Sequence, residues 1–598
     1  METPARKRTR PAAATAGGGT WRRRSILKAI SAAGIGSATF GRALAVLSEG
    51  GPRVTDAMIR HAEWIAGLEL TDPERELMLE DLNESQDRLA ELRAHPLDNA
   101  VYPALSFDPE PGSLVRGAGP PERNARPIES AAVLPVSGGD LAFLPVSELS
   151  ALVRARQLSS VELTRVYLER LKRHDPVLRC VITMTEERAL AQAERADREI
   201  AQGRYRGPLH GIPWGAKDLL AVGGYRTTWG AEPFEDQMLD ETATVVSRLD
   251  DAGAVLLAKL AVGALAWGDV WFDAMTRNPW KPEQGSSGSS AGSASATAAG
   301  LVGFAIGTET WGSIVSPCTR CGATGLRPTF GRVSRHGAMA LSWSMDKVGP
   351  IARSVEDCAL VFDSVHGADA LDPTAVTRPF SWPPREDPRA LRVGFVRSLF
   401  EEDRSAEAES DDERRGLEEW QRYDLETLEV LRGLGFRLVP VELPEDVPVE
   451  PLALILTAEA STAFDRLTRS GEVDRLERQV RDAWPNVLRQ GQFITAVDYL
   501  RANRVRTQLM RAMADAIRDV DVYVCPSYGG NNLLLTNLTG QPCVVVPNGF
   551  RTTDGTPTSI TFMARLFREQ DALSVAHVYE QATGFHLRRP AAFTESAS

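Results

Sequence analysis

The chain has 598 residues, of which 43% are hydrophobic and 25% are charged, a balance typical of soluble globular proteins. Its formal net charge of −12 argues against a surface built to bind nucleic acid. Six cysteines in a chain of this length exclude a fold held together by disulfides. The sequence is still compatible with one or two disulfide bonds.

The first 45 residues have the order of features found in an export signal. Residues 22–28 contain three arginines followed by apolar residues and a lysine, which fits the twin-arginine pattern. A mildly apolar run at 29–40 is too short to span a membrane, and Ala-Leu-Ala at 43–45 has the form of a cleavage site. We therefore expect residues 1–45 to be a twin-arginine-type signal peptide, with the twin-arginine export machinery as a partner. The mature protein is then periplasmic or secreted. The alternative is a basic tail on a cytoplasmic chain.

Residues 46–103 are predicted to form a helical arm, and residues 104–140, rich in Pro and Gly, an extended linker. Thr71, Asp72 and Pro73 have the types expected at the start of the second helix. The apolar residues that follow are spaced as one helical face: Leu77, Met78, Leu82, Leu89 and Leu92. A two-helix unit is too small to fold alone, so this face is expected to pack on the rest of the protein.

Residues 141–590 are predicted to be one catalytic domain, followed by a C-terminal tail at 591–598. Amphipathic helices alternate with short buried strands in this region, which predicts an α/β fold: a mixed β-sheet covered by helices on both faces. The helices are predicted at 160–174 and 186–202, and the strands at 254–258, 302–306, 522–525 and 544–547. Outside the signal, no stretch is long and apolar enough to form a permanent membrane span.

Three segments of this domain carry chemistry. Lys217 lies in an apolar stretch at 211–218, a Gly/Ser/Ala-rich segment occupies 286–300, and Ser313 lies in a glycine-bearing stretch at 307–314. A serine hydroxyl needs an adjacent base to act as a nucleophile. A lysine supplies that base only if its pKa falls from about 10.4 toward neutrality. Glycines near Ser313 allow backbone N–H groups to form an oxyanion hole, so the three segments together predict acyl transfer.

At these residues the chain resembles the amidase signature family. Residues 287–293 read Ser-Gly-Ser-Ser-Ala-Gly-Ser, and residues 312–314 read Gly-Ser-Ile, at the spacing of the two halves of the family's core motif. The resemblance implies that Ser313 is the nucleophile, Ser289 the relay serine after a cis peptide bond, and Lys217 the base. It also implies an amidase signature fold, with an oxyanion hole made by the backbone N–H groups of Thr310, Trp311, Gly312 and Ser313.

The family resemblance implies hydrolysis of a carboxylic amide C–N bond, with a small-molecule or peptide amide as substrate and no metal or organic cofactor. Two positions depart from many members: Trp311 replaces a glycine and Val315 an arginine. The indole is expected to narrow the pocket or to form an aromatic wall. The arm at 46–103 resembles the small C subunit of tRNA-dependent amidotransferases, which implies a fused packing arm.

Several alternatives remain open from the sequence. The chain is also compatible with an ammonia-transferring amidotransferase of the A-subunit type, or with an esterase that uses the same triad. Ser290 lies at the centre of a Gly-x-Ser-x-Gly pattern, but the preceding segment is polar and lacks the strand that such an elbow needs. A non-catalytic binding protein is expected to have lost a triad residue. Cys318 and Cys321 form a lone Cys-x-x-Cys, for which core packing is expected rather than a metal site.

Overall fold

A computed structural model describes residues 53–97, 101, 103–105, 122–128, 135, 137–384, 386–408 and 410–594. The predicted signal at 1–45 and most of the predicted linker at 104–140 lie outside these residues. The chain divides into two compact units, 1–61 and 62–598. In the first unit, residues 56–61 form the beginning of a helix. The β-sheets described below belong to the second unit.

The helices are numbered in chain order. They are α1 Asp56–Ala66, α2 Asp72–Ala94, α3 Gly138–Leu141, α4 Val146–Arg154, α5 Ser160–Leu178, α6 Glu186–Ala201, α7 Thr244–Asp251, α8 Ala291–Ala298, α9 Val315–Cys321, α10 Val355–Val365, α11 Arg397–Glu401, α12 Asp411–Gly433, α13 Leu454–Ala463, α14 Asp465–Arg469, α15 Trp484–Gly491, α16 Ala496–Ala516, α17 Asn532–Thr539 and α18 Glu569–Thr583. Within the described part of the chain, no helix is long and apolar enough to cross a membrane.

The strands are numbered in the same way. They are β1 Val181–Met184, β2 Pro213–Lys217, β3 Val255–Leu260, β4 Val270–Trp271, β5 Ala274–Met275, β6 Arg277–Asn278, β7 Lys281–Gly285, β8 Phe304–Glu309, β9 Thr324–Arg327, β10 Lys347–Ala352, β11 Val393–Val396, β12 Leu438–Val441, β13 Val522–Pro526, β14 Cys543–Phe550 and β15 Pro557–Ala564.

Eleven strands form one mixed sheet in the order β1-β3-β2-β8-β10-β9-β14-β15-β13-β11-β12. Strand β2 is parallel to both of its neighbours, β3 and β8, whereas β10 runs antiparallel to β8. Every residue of β2, β3, β8 and β10 is buried, which requires cover on both faces. The predicted mixed sheet with helices on both faces is therefore confirmed.

The Gly/Ser/Ala-rich segment forms a buried helix and not the flexible linker that its composition alone favours. All eight residues of α8 are buried, and the helix packs on β2, β3, β8 and β10. Small side chains permit this close approach. A Cβ on Gly292 would lie only 2.4 Å from the carbonyl oxygen of Cys180 and 2.5 Å from the backbone nitrogen of Ala261.

Helix α2 packs against α15 and α16, as its apolar periodicity predicts. Met78, Leu82, Leu89 and Leu92 are buried, whereas Leu77, which belongs to the same predicted face, is only partly buried. Leu89 and Leu92 belong to the same hydrophobic cluster as Ile314, the residue after Ser313. The arm helix and the Ser313 segment therefore share a hydrophobic core.

The predicted strand at 302–306 is displaced, because β8 begins at Phe304 and continues to Glu309. Residues 301–303 instead form a bend after α8, where the Gly303 N–H donates to the carbonyl of Pro213. The six cysteines are free thiols and all are buried. The structure thus places Cys318 and Cys321 in the core. Among the described residues, no group of three or more His, Cys, Asp or Glu side chains is placed to hold a metal ion.

Candidate active site

Lys217 and Thr308 lie side by side at the carboxyl ends of two parallel strands. Lys217 is the last residue of β2, and Thr308 is the last but one of β8. The pairing of Ala216 with Ile306 brings these ends together. The carboxyl edge of parallel strands is a common location for functional side chains in α/β folds.

The Lys217 amine is enclosed by oxygen atoms. Its Nζ lies 2.9 Å from Ser289 Oγ, 3.0 Å from Ser290 Oγ and 2.8 Å from Thr308 Oγ1. The Thr308 carbonyl is more distant, at 3.4 Å. Lys217 and Ser290 are fully buried, and Ser289 is 1% exposed. Lys217 is therefore removed from water and hydrogen-bonded to Ser289, as a base that acts through this serine must be.

The surroundings of Lys217 favour a neutral amine. Burial lowers the pKa of Lys217 well below its usual value, and the carboxylates of Asp346 and Glu309 oppose this effect only in part. No carboxylate is hydrogen-bonded to the amine among the described residues. A neutral amine has a lone pair that accepts a proton from a hydroxyl, as a general base must.

Ser289 and Ser290 have different environments although they are adjacent. The Gly288–Ser289 peptide bond is cis, as the family resemblance implies for the relay serine. Ser290 stands at the N-cap position of α8, but its hydroxyl makes no capping bond. Instead, Ser290 Oγ donates to the Thr308 carbonyl and accepts from the Thr308 N–H, each at 3.1 Å. Ser290 thus fixes the end of β8 and is too enclosed to act as an exposed nucleophile.

Ser313 lies in the loop between β8 and α9. The loop turns at Gly312, whose φ of +94° is a left-handed conformation that favours glycine. The Ser290 N–H donates to the Ser313 carbonyl at 3.2 Å, which joins the two serine segments through the backbone. Within the described part of the chain, no hydrogen bond joins the Ser313 hydroxyl to Ser289.

The backbone of the Ser313 loop offers donors to a ligand. Among the described residues, the N–H groups of Trp311, Gly312 and Ser313 donate no hydrogen bond. These three groups are therefore free to bind a developing oxyanion. Thr310 is held by its side chain, because its hydroxyl donates to Asp346 at 2.6 Å.

Glu309 positions this loop, a role that sequence reasoning did not find. Its carboxylate accepts the N–H groups of Ile314 and Val315 at 2.8 and 3.0 Å, directly after Ser313. On its other side it pairs with Arg327 at 2.8 Å and with Asn537 at 2.9 Å. Burial raises the pKa of Glu309, but these partners lower it further, to about 2. The sequence carries no local signal for this ion pair, because Asn537 and Arg327 reach Glu309 from other elements of the fold.

A cavity of about 600 Å³ opens at Ser313. Gly288, Thr310 and Trp311 also line it, so it borders the serine segments and the free N–H groups. Trp311 is 45% exposed and forms part of the wall, as the sequence predicts for this indole. The structure therefore brings Lys217 and Ser289 into direct contact and places Ser313 at the wall of an adjoining pocket.

The mixed sheet, the buried lysine–serine pair and the glycine turn at Ser313 are together typical of an enzyme that cleaves amide bonds. Comparison with known proteins agrees. Residues 162–533 match the family model described as Amidase, so the chain belongs to the amidase family. It acts on carboxylic amide C–N bonds.

Curated relatives include the A subunit of the glutamyl-tRNA(Gln) amidotransferase from Geobacter metallireducens, 34% identical over 498 residues. That match covers 75% of this chain and 99% of the relative. The corresponding protein of Roseiflexus sp. is 35% identical and is covered to 98%. Among solved structures, the native peptide amidase from Stenotrophomonas maltophilia aligns with a TM-score of 0.66 at 30% identity, covering 76% of this chain and 100% of that one.

Proposed function

We propose that Ser313 is the nucleophile, Ser289 the proton relay and Lys217 the terminal base of an amide hydrolase. Ser313 Oγ attacks the amide carbonyl as its proton passes to Ser289, while the Ser289 proton passes to neutral Lys217. The backbone N–H groups of the 310–313 loop bind the oxyanion. Return of the proton through Ser289 to the leaving nitrogen releases ammonia or an amine. Water then cleaves the acyl-enzyme to the free acid by the same relay.

The observation that carries this proposal is the environment of the Lys217 amine. It is buried, its pKa is lowered, and it is hydrogen-bonded to Ser289 at 2.9 Å. A buried lysine with a structural role is commonly paired with a carboxylate, as Lys259 is with Asp218 at 2.8 Å. Lys217 is surrounded by hydroxyl groups instead, an arrangement suited to proton transfer.

The test is covalent labelling of the purified protein with a fluorophosphonate, followed by peptide mass spectrometry. We expect the label on Ser313, its loss in Ser313→Ala, and release of ammonia or amine from members of an amide panel. The matched control is Ser290→Ala, which alters the neighbouring serine without removing the nucleophile. A label on Ser290, or full amide turnover by Ser313→Ala, contradicts the assignment.

A second candidate is release of ammonia from glutamine for transfer to an acceptor. The identity of 34% to the A subunit of a glutamyl-tRNA(Gln) amidotransferase favours it. The net charge of −12 and the replacement of the usual arginine by Val315 oppose it. Glutamine hydrolysis that exceeds turnover of every other amide in the panel would favour this candidate over a general amidase.

For location, we propose export through the twin-arginine machinery and a periplasmic or secreted mature protein. The order of charge, apolar run and Ala-Leu-Ala within residues 1–45 supports this. N-terminal sequencing of the protein from its native host is expected to begin near residue 46. An intact N-terminus on a cytoplasmic protein would refute the export proposal.

A further inference from the structure

Helix α2 contributes one wall of the cavity at Ser313. This helix precedes residues 162–533, the part of the chain that matches the family model. The residues of α2 that line the cavity are Asp81, Leu82, Ser85, Gln86, Arg88 and Leu89. They span a little over two turns of one helix face, so the contribution of α2 is a continuous surface.

The rest of the cavity is largely apolar and aromatic. Trp267, Trp311 and Trp484 line it, together with Leu454 and Ile494. The rings of Trp267 and Trp484 pack edge to face with their centroids 4.7 Å apart, which gives a firm wall. A volume of about 600 Å³ is within the range of pockets that enclose drug-sized ligands, roughly 300–1,000 Å³. A short aliphatic amide leaves most of this space unfilled.

Polar contacts fix α2 relative to the opposite wall. Arg481 forms ion pairs with Glu80, Asp81 and Glu84 at 2.6, 2.5 and 2.7 Å. Gln490 of α15 donates to the other Asp81 oxygen at 2.6 Å. The side chains of Asp81 and Arg481 therefore neutralise each other inside the cavity lining, and the surface offered to a substrate is mainly apolar.

We propose that α2 is a specificity-determining wall of the substrate pocket, which selects amides bearing an apolar group of aromatic size. The proposal rests on the assignment of Ser313 as the nucleophile. The reacting carbonyl binds at the 310–313 loop, and the large apolar group extends between the tryptophans and α2. Leu82 and Ser85 contact this group, whereas a short amide does not reach them.

The test compares 3-phenylpropionamide with propionamide in the full chain, by ammonia release. Ser85→Trp fills the pocket at α2, and Ala90→Trp places the same side chain on the exposed side of the same helix. We expect Ser85→Trp to raise KM for 3-phenylpropionamide at least tenfold and to leave kcat/KM for propionamide within about twofold. Ala90→Trp should match the wild type on both. Equal effects of Ser85→Trp on both substrates would overturn the proposal.

A second variant and a second readout keep the test independent of folding and turnover. Gln86 also lines the pocket, but its side chain is exposed, so the fold should tolerate Gln86→Trp. The rate of fluorophosphonate labelling is compared for a small alkyl and a phenylalkyl reagent. We expect Gln86→Trp to lower the labelling rate of the phenylalkyl reagent and to leave that of the small alkyl reagent unchanged. Unchanged labelling rates for both reagents would refute the proposal that α2 forms a wall of the substrate pocket. Labelling that survives Ser313→Ala would instead refute the proposed nucleophile.

Discussion

Replacing Lys217 by methionine removes the amine while retaining a side chain of similar length. The Nζ atom of Lys217 contacts three hydroxyl groups at 2.8 to 3.0 Å. The substitution therefore tests the contribution of the proton-accepting amine. General-base catalysis contributes about 10²- to 10⁴-fold. At about 1.36 kcal/mol per tenfold change, Lys217→Met should raise the activation barrier by about 2.7 to 5.4 kcal/mol. Ammonia release from a reactive amide, measured as kcat/KM, gives this value directly.

The pH dependence of Lys217→Met separates catalysis from simple disruption. In the wild type, kcat/KM should rise as Lys217 loses its proton, and this rise should begin well below the usual lysine pKa because burial lowers it. The variant should lack that rise. A variant that keeps the same pH limb, or loses less than tenfold in kcat/KM, would refute Lys217 as the base.

Thermal stability gives an independent check with a defined sign. Between the lowered native pKa of Lys217 and its unfolded value of about 10.4, the unfolded chain binds more protons. Wild-type stability therefore gains from rising pH in this window, and Lys217→Met lacks that gain. The Tm of the variant minus that of the wild type should fall as pH rises. A constant difference across the window would contradict a depressed pKa.

Three further predictions concern the serine pair, the buried face of α2 and the ion pair of Glu309. Ser313→Ala should reduce turnover to assay background. Ser290→Ala should retain measurable activity, because Lys217 keeps its contacts with Ser289 and Thr308. Steady-state kinetics of both variants test this difference. Leu92→Ala in the buried face of α2 should lower the free energy of unfolding by about 2 to 5 kcal/mol, measured by chemical denaturation. An unchanged free energy of unfolding would show that the arm is not anchored at Leu92. Glu309→Gln leaves the buried Arg327 without its charged partner and should destabilise the protein by about 3 to 5 kcal/mol. Because the pKa of Glu309 is about 2, its stabilisation of the fold should be present above about pH 4.3 and be lost as pH falls toward 2. The difference in stability between wild type and Glu309→Gln should therefore be smaller at pH 3 than at pH 7. An equal difference at the two pH values would contradict this.

The sequence alone predicted the parts of the candidate site that depend on local motif and spacing. Lys217, Ser289 and Ser313 were predicted because each lies in a short stretch whose order along the chain is diagnostic. Burial of β3 and β13 was also readable, since continuous apolar runs indicate strands covered on both faces. The periodicity of Met78, Leu82, Leu89 and Leu92 predicted a buried face on α2.

Other features required the tertiary structure. Thr308 contacts Lys217 only because β2 and β8 are parallel neighbours in the sheet, 91 residues apart in sequence. Glu309 positions the Ser313 loop by accepting the N–H groups of Ile314 and Val315. Its ion pair with Arg327 on the other side depends on the strand order. The α2 wall at Ser85 depends on packing against α15, some 400 residues later in the chain. Local propensity and spacing determine which side chains an element presents, whereas strand order and long-range packing decide which elements meet at one pocket.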